Sequence, residues 1–585
     1  MESPKETFLS EGLLVGTDEQ KINDGNSGEP NPELLKHLSE PERKKYYESN
    51  AGDGTQAVEH HLTGIKLLLT LLSCVITLFI VALDQTIVTT ILTQVGDKFG
   101  AFEKIGWLTS GYLLPTACLA ASYGKISVAF GRKQTMMAGI LVFEIGSLIS
   151  ALSQNMNMLI GGRVIQGIGG GAIQAMVVVI MTEVIPISKR SMVFALIGVT
   201  FSVASVVGPF VGGAFATHVS WRWCFYVNLP IGGAAAVMLM LGFHPPRPLS
   251  NFKAKLALID YVGTFLLCSG LVLILLAITF GGIEFPWKSG AVISCFVLGG
   301  LLTFAFIYWN FWLSKNPIIL RELVVIPQID AAVLMAGFNF GFFMAIITYL
   351  AVYFQVVFGA SAWKSGIDLL PLVISVALSS VFNGMFMRFT HYIKVTMMVS
   401  AVLGPIGCGL LLVLDKNSSV ANRIGLLIPV GVSIGFMFQS TMLACQVEAP
   451  NTVVGSLIAV TVLQNFVKST GGVLGISIAQ LIFQTTGSAY VEKLRNRLPN
   501  DPQYDSIRNI PSRAIISTPE IIKKLPPAAR SLVIEQFMKA LKNVFYFALA
   551  MALAGFLAAI FTTNKTIPKD DEVATKEAKR KDVEA

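Results

Sequence analysis

The sequence predicts an all-α polytopic membrane protein, and three observations carry that prediction. The first is composition: of 585 residues, 53% are hydrophobic and only 14% are charged, whereas soluble domains carry about 25% charged residues. Mean hydropathy is +0.64. The second is segmentation into apolar runs of about 20 residues or more, each long enough at about 1.5 Å per residue to cross a hydrocarbon core of about 30 Å. The third is an alternation of basic charge between successive loops, the signature that orients spanning helices. The formal charge of +8 therefore reads as loop charge facing an anionic leaflet. Outside the apolar runs there is no basic stripe interleaved with aromatics, so nucleic acid is not an expected partner.

Taken in order, residues 1–65 are polar and rich in Glu, Lys, Ser, Asn and Gly. They cannot bury a core and read as a disordered cytoplasmic tail without a signal-peptide apolar region. Spanning runs come next at about 66–95, 105–127, 135–153, 158–184, 191–217, 224–244, 257–281, 290–313, 328–357, 364–388, 391–414, 421–446, 452–486 and 542–562. Fourteen crossings place both ends on one side. Loops on that side carry Lys125, Arg132, Lys133, Lys189, Arg190, Arg247, Lys253, Lys255, Lys315, Arg321, Arg388 and Lys394. Short loops opposite carry only Lys98, Lys104, Arg222, Lys288, Lys364, Lys416 and Arg423. Twelve basic residues against seven predict that both ends are cytoplasmic. The proline-containing stretch 487–541 reads as a structured extracytoplasmic loop, and 563–585 as a solvated cytoplasmic tail. The seven cysteines lie in or beside apolar runs without a CxxC pair, which argues against a disulfide framework and a zinc site.

The fifth run organises the rest. It has no charged residue from Ser191 to Thr217, and Ala204, Gly208, Gly212 and Ala216 make a smooth stripe at i, i+4 spacing. Ser205, Pro209 and Gly213 make a second stripe. Small-residue stripes let membrane helices approach closely where lipid provides no hydrophobic drive, and Pro209 removes one helical hydrogen bond. Gly198 followed by Gly208-Pro209-Phe210-Val211-Gly212-Gly213 resembles the antiporter signature of the major facilitator superfamily. The stretch WRWCFYVNLPIGG, Trp221 to Gly233, is similar to the junction before the sixth helix in the drug:proton antiporter branch with fourteen helices. Fungal azole-resistance and vacuolar basic amino-acid transporters belong to that branch. The resemblance implies a major facilitator fold with one six-helix bundle at 66–244 and another at 328–562. Two extra helices are inserted in the linker 245–327. Cargo is expected between the bundles near the midplane, reached by alternating access.

Charged residues inside the runs demand a cavity or a partner, since each costs roughly 2.5–3.5 kcal/mol at the bilayer centre even on the mildest scale. Asp84, in LFIVALDQTIVTT, resembles the acid of the family's first-helix signature and suits a proton-binding role; a structural acid paired to a neighbouring helix is the alternative. Arg163, with Gln166 and Gly167, resembles the fourth-helix signature linked to proton coupling. It is expected to bias Asp84 or Glu144, or else to hold helices together as a fixed ion pair. The order Gly167, Gly169, Ala172 mimics a dinucleotide fingerprint, but it lacks the strand such a motif requires; Gly167 and Gly171 read instead as a GxxxG packing face. The turn holding Gly124, Gly131, Arg132 and Lys133 resembles the superfamily's cytoplasmic loop signature. Val128 replaces its usual Asp, which puts a strong cytoplasmic latch in doubt and leaves Arg132 and Lys133 a topological role. Glu183 and Glu448, near cytoplasmic ends, read as hydrated.

Tyr112, Gln166, Asn339, Gln439, Gln464, Asn465 and Lys468 are the candidate cargo-cavity residues, with a snorkelling or helix-pairing lysine as the alternative for Lys468. No catalytic residues, metal site or cofactor are expected. The predicted activity is proton-coupled export of small organic toxic compounds by a plasma-membrane monomer whose partners are cargo, protons and the bilayer. The alternative is a vacuolar carrier of basic amino acids. A siderophore carrier or a non-transporting nutrient sensor fits less well.

Overall fold

The computed structural model describes residues 60–569, apart from 102–103, 247–251, 283–284, 500, 502–503, 518–520 and 523–524. The tails through 59 and from 570, Arg247 and the side chain of Lys253 lie outside the described residues. Helices dominate throughout: α1 (Gly64–Ile87), α2 (Ile105–Ala120, continued by Ser122–Phe130), α3 (Arg132–Ala151), α4 (Met156–Glu183), α5 (Ile187–His218) and α6 (Asn228–Gly242) form the first group. The pair α7 (Tyr261–Phe280) and α8 (Gly290–Tyr308) comes next. The last group is α9 (Pro327–Val357), α10 (Leu370–Thr390), α11 (Ile393–Leu411), α12 (Ile428–Glu448), α13 (Ser456–Arg495) and α14 (Pro527–Ile560). Thirteen described helices are long and apolar enough to span a membrane, and the bent pair in α2 makes fourteen.

Two early runs are less straight than their hydropathy predicts. The first breaks after Ile87 into a 3-10 turn at Val88–Thr90 and a separate helix, Leu92–Phe99. The second turns by 61° between Ala120 and Ser122. The stretch 487–541 is much less of a loop than expected. Helix α13 runs on for 40 residues, about 60 Å, and α14 begins at Pro527, where proline suits the first helical turn. Between them, Ile507, Ile515, Ile516 and Ile522 are buried. Arg495 ties the segment by donating to the Ile507 carbonyl at 3.1 Å and the Ile510 carbonyl at 2.5 Å. Hydropathy missed these extensions because their apolar residues, such as Val533, Phe537 and Leu541, recur one turn apart instead of filling a continuous run.

Helix α4 is the most enclosed of the spans. Its Gly167 and Gly171 lie against the α2 backbone at Tyr112 and Thr116, and Thr116 Oγ1 donates to the Gly167 carbonyl at 3.0 Å. On its other side Gly169 abuts the backbone of Phe143 and Gly139 in α3. Three helices thus meet backbone to backbone, as the glycine spacing implies. The α7–α8 pair docks on both groups. Ser122 and Thr264 share a hydrogen bond at 3.0 Å, Trp107 stacks on Phe280 at 4.6 Å, and Thr279 meets Ser477 of α13 at 3.4 Å. Trp107 is thereby a packing residue. Helix α8 presents Val297, Leu301 and Phe304 outward, a face suited to lipid.

A Cβ at Gly169 would overlap α3 backbone, which cannot yield as a side chain would. Gly169→Val is expected to destabilise the detergent-solubilised protein by about 3 kcal/mol, read as a lowered thermal midpoint on size-exclusion chromatography. Gly213→Ala, where nothing lies within 4 Å of the added carbon, is expected to leave that midpoint in place.

Candidate transport site

Asp84 sits near the end of α1, fully enclosed, and forms an ion pair with Arg163 of α4. Its other carboxylate oxygen accepts from Gln166 Nε2 at 2.7 Å and from Asn228 Nδ2 at 3.3 Å. Arg163 donates further to Gln166 Oε1 at 2.6 Å and to the Leu108 carbonyl at 3.1 Å. Its guanidinium lies 4.4 Å from the Tyr112 ring centroid. Ser147 closes the network, 2.8 Å from Gln166 Nε2 and 3.2 Å from Asn228 Nδ2. Local sequence explains the assembly. Arg163 and Gln166 are one turn apart on α4, and Gly146 lets α3 approach the Gln166 backbone. Seven residues separate Arg163 from the start of α4, which places the pair about 10 Å below that end, on the side away from the basic loops.

The network is built wholly from α1, α2, α3, α4 and α6. Gln166 and Tyr112, expected among the cargo residues, are instead held inside it: one saturates the ion pair, the other lies beneath the guanidinium. Glu144 is not a partner of Arg163. Its carboxylate lies against Gly232 of α6, where any Cβ would collide with it, and neither oxygen has a hydrogen-bond partner.

The remaining cargo candidates divide in the same way. Asn339 is buried between α9 and α11, donating to Ser400 Oγ at 3.4 Å. Gln439 is consumed by α10, through Asn383 Nδ2 and the Ser380 carbonyl, both at 2.9 Å. Both of these bond within the last six helices. Gln464, Asn465 and Lys468 share one face of α13. Gln464 donates to Thr441 at 3.2 Å, while its Oε1 and Asn465 Nδ2 are buried without partners. Lys468 lies 5.6 Å and 5.7 Å from the ring centroids of Phe340 and Phe438. Phe201 of α5 approaches both rings at 6.2 Å, so these residues mark where the two groups of helices meet.

Helix α5 joins the two regions. Gly208 and Gly212 pack on Thr86, Ile87 and Thr90 at the end of α1, and Gly198 packs on Ser380 and Phe438. The first small-residue stripe is thus a helix contact. The second is not at Gly213, which meets nothing within 4 Å. The helix runs unbroken through Pro209.

At the basic face, Gly131 turns the chain from α2 into α3 with φ +98°, a conformation that favours glycine. Gly124 lies against Val462 of α13, and Lys133 donates to the Met240 carbonyl at 2.9 Å. Arg132 is buried and bonds Glu183 through both Nε and Nη2, at 3.0 and 2.8 Å. Glu183 is therefore paired rather than hydrated, and Arg132 is structural. Glu448 bonds Lys565 at 2.9 Å, so the start of the C-terminal tail is docked. Although Val128 lacks a carboxylate, a polar tie crosses between the two groups here. Gln446 donates to Thr182 of α4 at 3.0 Å and to Thr461 at 3.1 Å, and accepts from the buried Arg190 at 3.4 Å. Sequence reading missed Gln446, Thr182, Ser147 and Asn228, and took Arg190 for loop charge. A lone Gln closing an apolar run was the available signal. Gln446→Leu is expected to loosen this face, lengthening or broadening the distance distribution between spin labels at positions 189 and 388. An unchanged distribution would show that Gln446 does not hold it.

The family profile described as Major Facilitator Superfamily matches residues 74–476. Vacuolar basic amino acid transporter 5 of Saccharomyces cerevisiae is 33% identical over 92% of this chain and 98% of its own. Azole resistance protein 1 of the same yeast is 31% identical over 89% of this chain and 91% of its own. The efflux pump bfoC of Aspergillus brasiliensis is 32% identical over 85% and 87%. Among solved structures, an inward-facing bacterial homologue of the human lysosomal transporter Spinster superposes with TM-score 0.53 at 15% identity, covering 86% of this chain and 98% of that one. With this helix order and this coverage, the chain belongs to the major facilitator superfamily.

Proposed function

We propose that the protein is a proton-coupled antiporter that exports small organic compounds, with the basic face in the cytoplasm and the plasma membrane as its location. The observation that supports this most is the Asp84–Arg163 pair. A carboxylate enclosed among spanning helices and bonded to a permanently charged guanidinium has two stable arrangements. Ionised, it neutralises Arg163. Protonated, it no longer balances Arg163, which is left with the bonds it already makes to Gln166 Oε1 and the Leu108 carbonyl. The site stands near the face opposite the basic loops, where an inward proton gradient delivers its protons.

Because the network lies within one group of helices, proton and cargo do not compete for one atom. Their exclusion runs through packing. Thr86 lies half a turn beyond Asp84 and packs against Gly208; the same α5 carries Phe201 to the rings around Lys468. A shift of α1 against the glycine stripe moves α5 and reshapes the cargo space. The polar tie at Gln446 then opens or closes the cytoplasmic side. The partners are protons, cargo and lipid, and the unit is a monomer.

A second reading keeps the exchange but moves basic amino acids into the vacuole. It is favoured by the 33% identity to a relative named for that activity, and lysine or arginine uptake by vacuolar vesicles discriminates. The main reading predicts that Asp84→Asn drops gradient-driven efflux to background at equal membrane abundance. Asp84→Glu is expected to keep a measurable fraction. Because an orphaned buried charge costs about 3–5 kcal/mol, flux is scored only for protein that elutes as a folded peak. Normal pumping by folded Asp84→Asn would remove Asp84 from the mechanism.

A further inference from the structure

Lys468 is the least compensated cation in the membrane interior of this molecule. It is 7% exposed, makes no ion pair among the described residues, and its ammonium lies over the Phe340 and Phe438 rings. The acids that might have served it are committed elsewhere. Asp84 is taken by Arg163 and Glu183 by Arg132, while Glu144, though unpaired, lies against Gly232 of α6 in the first group of helices and makes no ion pair with Lys468. One turn away on the same face, Gln464 Oε1 and Asn465 Nδ2 are also without partners. A buried ammonium with no acid beside it, inside the membrane and next to unpartnered amides, marks a site where an anion can be met.

We propose that Lys468 is the anchor for an anionic group on the cargo, and that the cargo class is the amphipathic organic anion: a planar apolar body bearing one carboxylate, phenolate or sulfonate. This rests on reading the interface of the two helix groups as the cargo site, and it names the substrate class of that site. The anion pairs with Lys468, and the unpartnered amide atoms of Gln464 and Asn465 take the remaining polar atoms. Phe201, Phe340 and Phe438 contact one another with centroids 6.1 to 6.2 Å apart, so the apolar body takes ring faces freed as the helix groups part, by the stacking and edge contacts such rings favour. The same charge repels lysine and arginine, since a cationic cargo would meet a like charge with no acid in reach.

The test uses the full chain reconstituted in lipid vesicles with an imposed pH gradient. Its probes are 1-naphthoate, the ring-matched cation 1-naphthylmethylammonium, and lysine. Equilibrium binding of 1-naphthoate to the purified protein is measured alongside. The wild type is expected to bind 1-naphthoate and to move it in preference to both cations. Lys468→Gln is expected to lower the anion-to-cation flux ratio and the 1-naphthoate affinity about tenfold or more, the effect of one lost charge-assisted contact. Lys468→Arg retains both, and Lys468→Glu reverses the preference. Proton-driven flux that favours the cations, or a ratio unmoved in folded Lys468→Gln, overturns the anion assignment while leaving antiport intact. Lys468-dependent binding without proton-driven flux supports the anion site and overturns the coupling. Neither binding nor flux of 1-naphthoate overturns the anion assignment outright.

Discussion

The buried pair of Asp84 and Arg163 constrains everything around it. Neither residue is tolerable alone among apolar helices, because desolvating a charge outweighs any single neutral contact. Each therefore dictates its surroundings. Gln166, Asn228 and Ser147 are placed to occupy the remaining carboxylate and amide positions, and Tyr112 gives the guanidinium a ring face. Five helices must converge to within hydrogen-bond distance for this to happen. The glycines of α3 and α4 are what allow that approach. Polar chemistry and small-residue packing are thus two aspects of one requirement.

The two groups of helices treat charge in opposite ways. In the first, a cation and an anion are matched and sealed. In the last, Lys468 is left with aromatic faces and unpartnered amides. In the proposed mechanism the sealed pair is the two-state switch, and the unmatched cation meets a cargo that comes and goes. Helix α5 touches both, through Gly208 at one level and through Gly198 and Phe201 at another. That one helix packs against both groups gives the glycine-rich fifth run its place in coupling them.

Much of the architecture was legible because a membrane makes it so. A span must be long, apolar and hydrogen-bonded within itself, so fourteen crossings and their turns can be read from local composition. Asp84, Arg163 and Lys468 were legible for the same reason, since a charge in such a run needs a partner. What could not be read was which partner. Asn228 and Ser147 join the Asp84 network from 144 and 63 residues away in the chain, and nothing local distinguishes them from other polar residues. Tyr112 and Gln166 face the sealed ion pair, a placement the sequence could not distinguish from facing a cavity because both have the same sequence pattern. Helices α13 and α14 outran their hydropathy because periodic apolar faces pack against protein as well as lipid does.

At the basic face, the loss of one carboxylate has a mechanical consequence. With Val128 in the loop turn, no acid at that position ties the helix groups together, and the link there falls to Gln446 with Thr182 and Arg190. The bond to Thr182 is neutral and contributes about 1 kcal/mol net, and the bond from the Arg190 guanidinium, being charge-assisted, about 1.5–3 kcal/mol, so the crossing tie is modest. A tie of that strength closes the face without committing the molecule to it. In the proposed mechanism, the state in which α4 and α12 are joined is set chiefly by the protonation of Asp84 and the occupant beside Lys468. On the mechanism we propose, a modest tie at the basic face leaves the protonation of Asp84, some helical turns from Thr182, able to decide which way the cargo space faces.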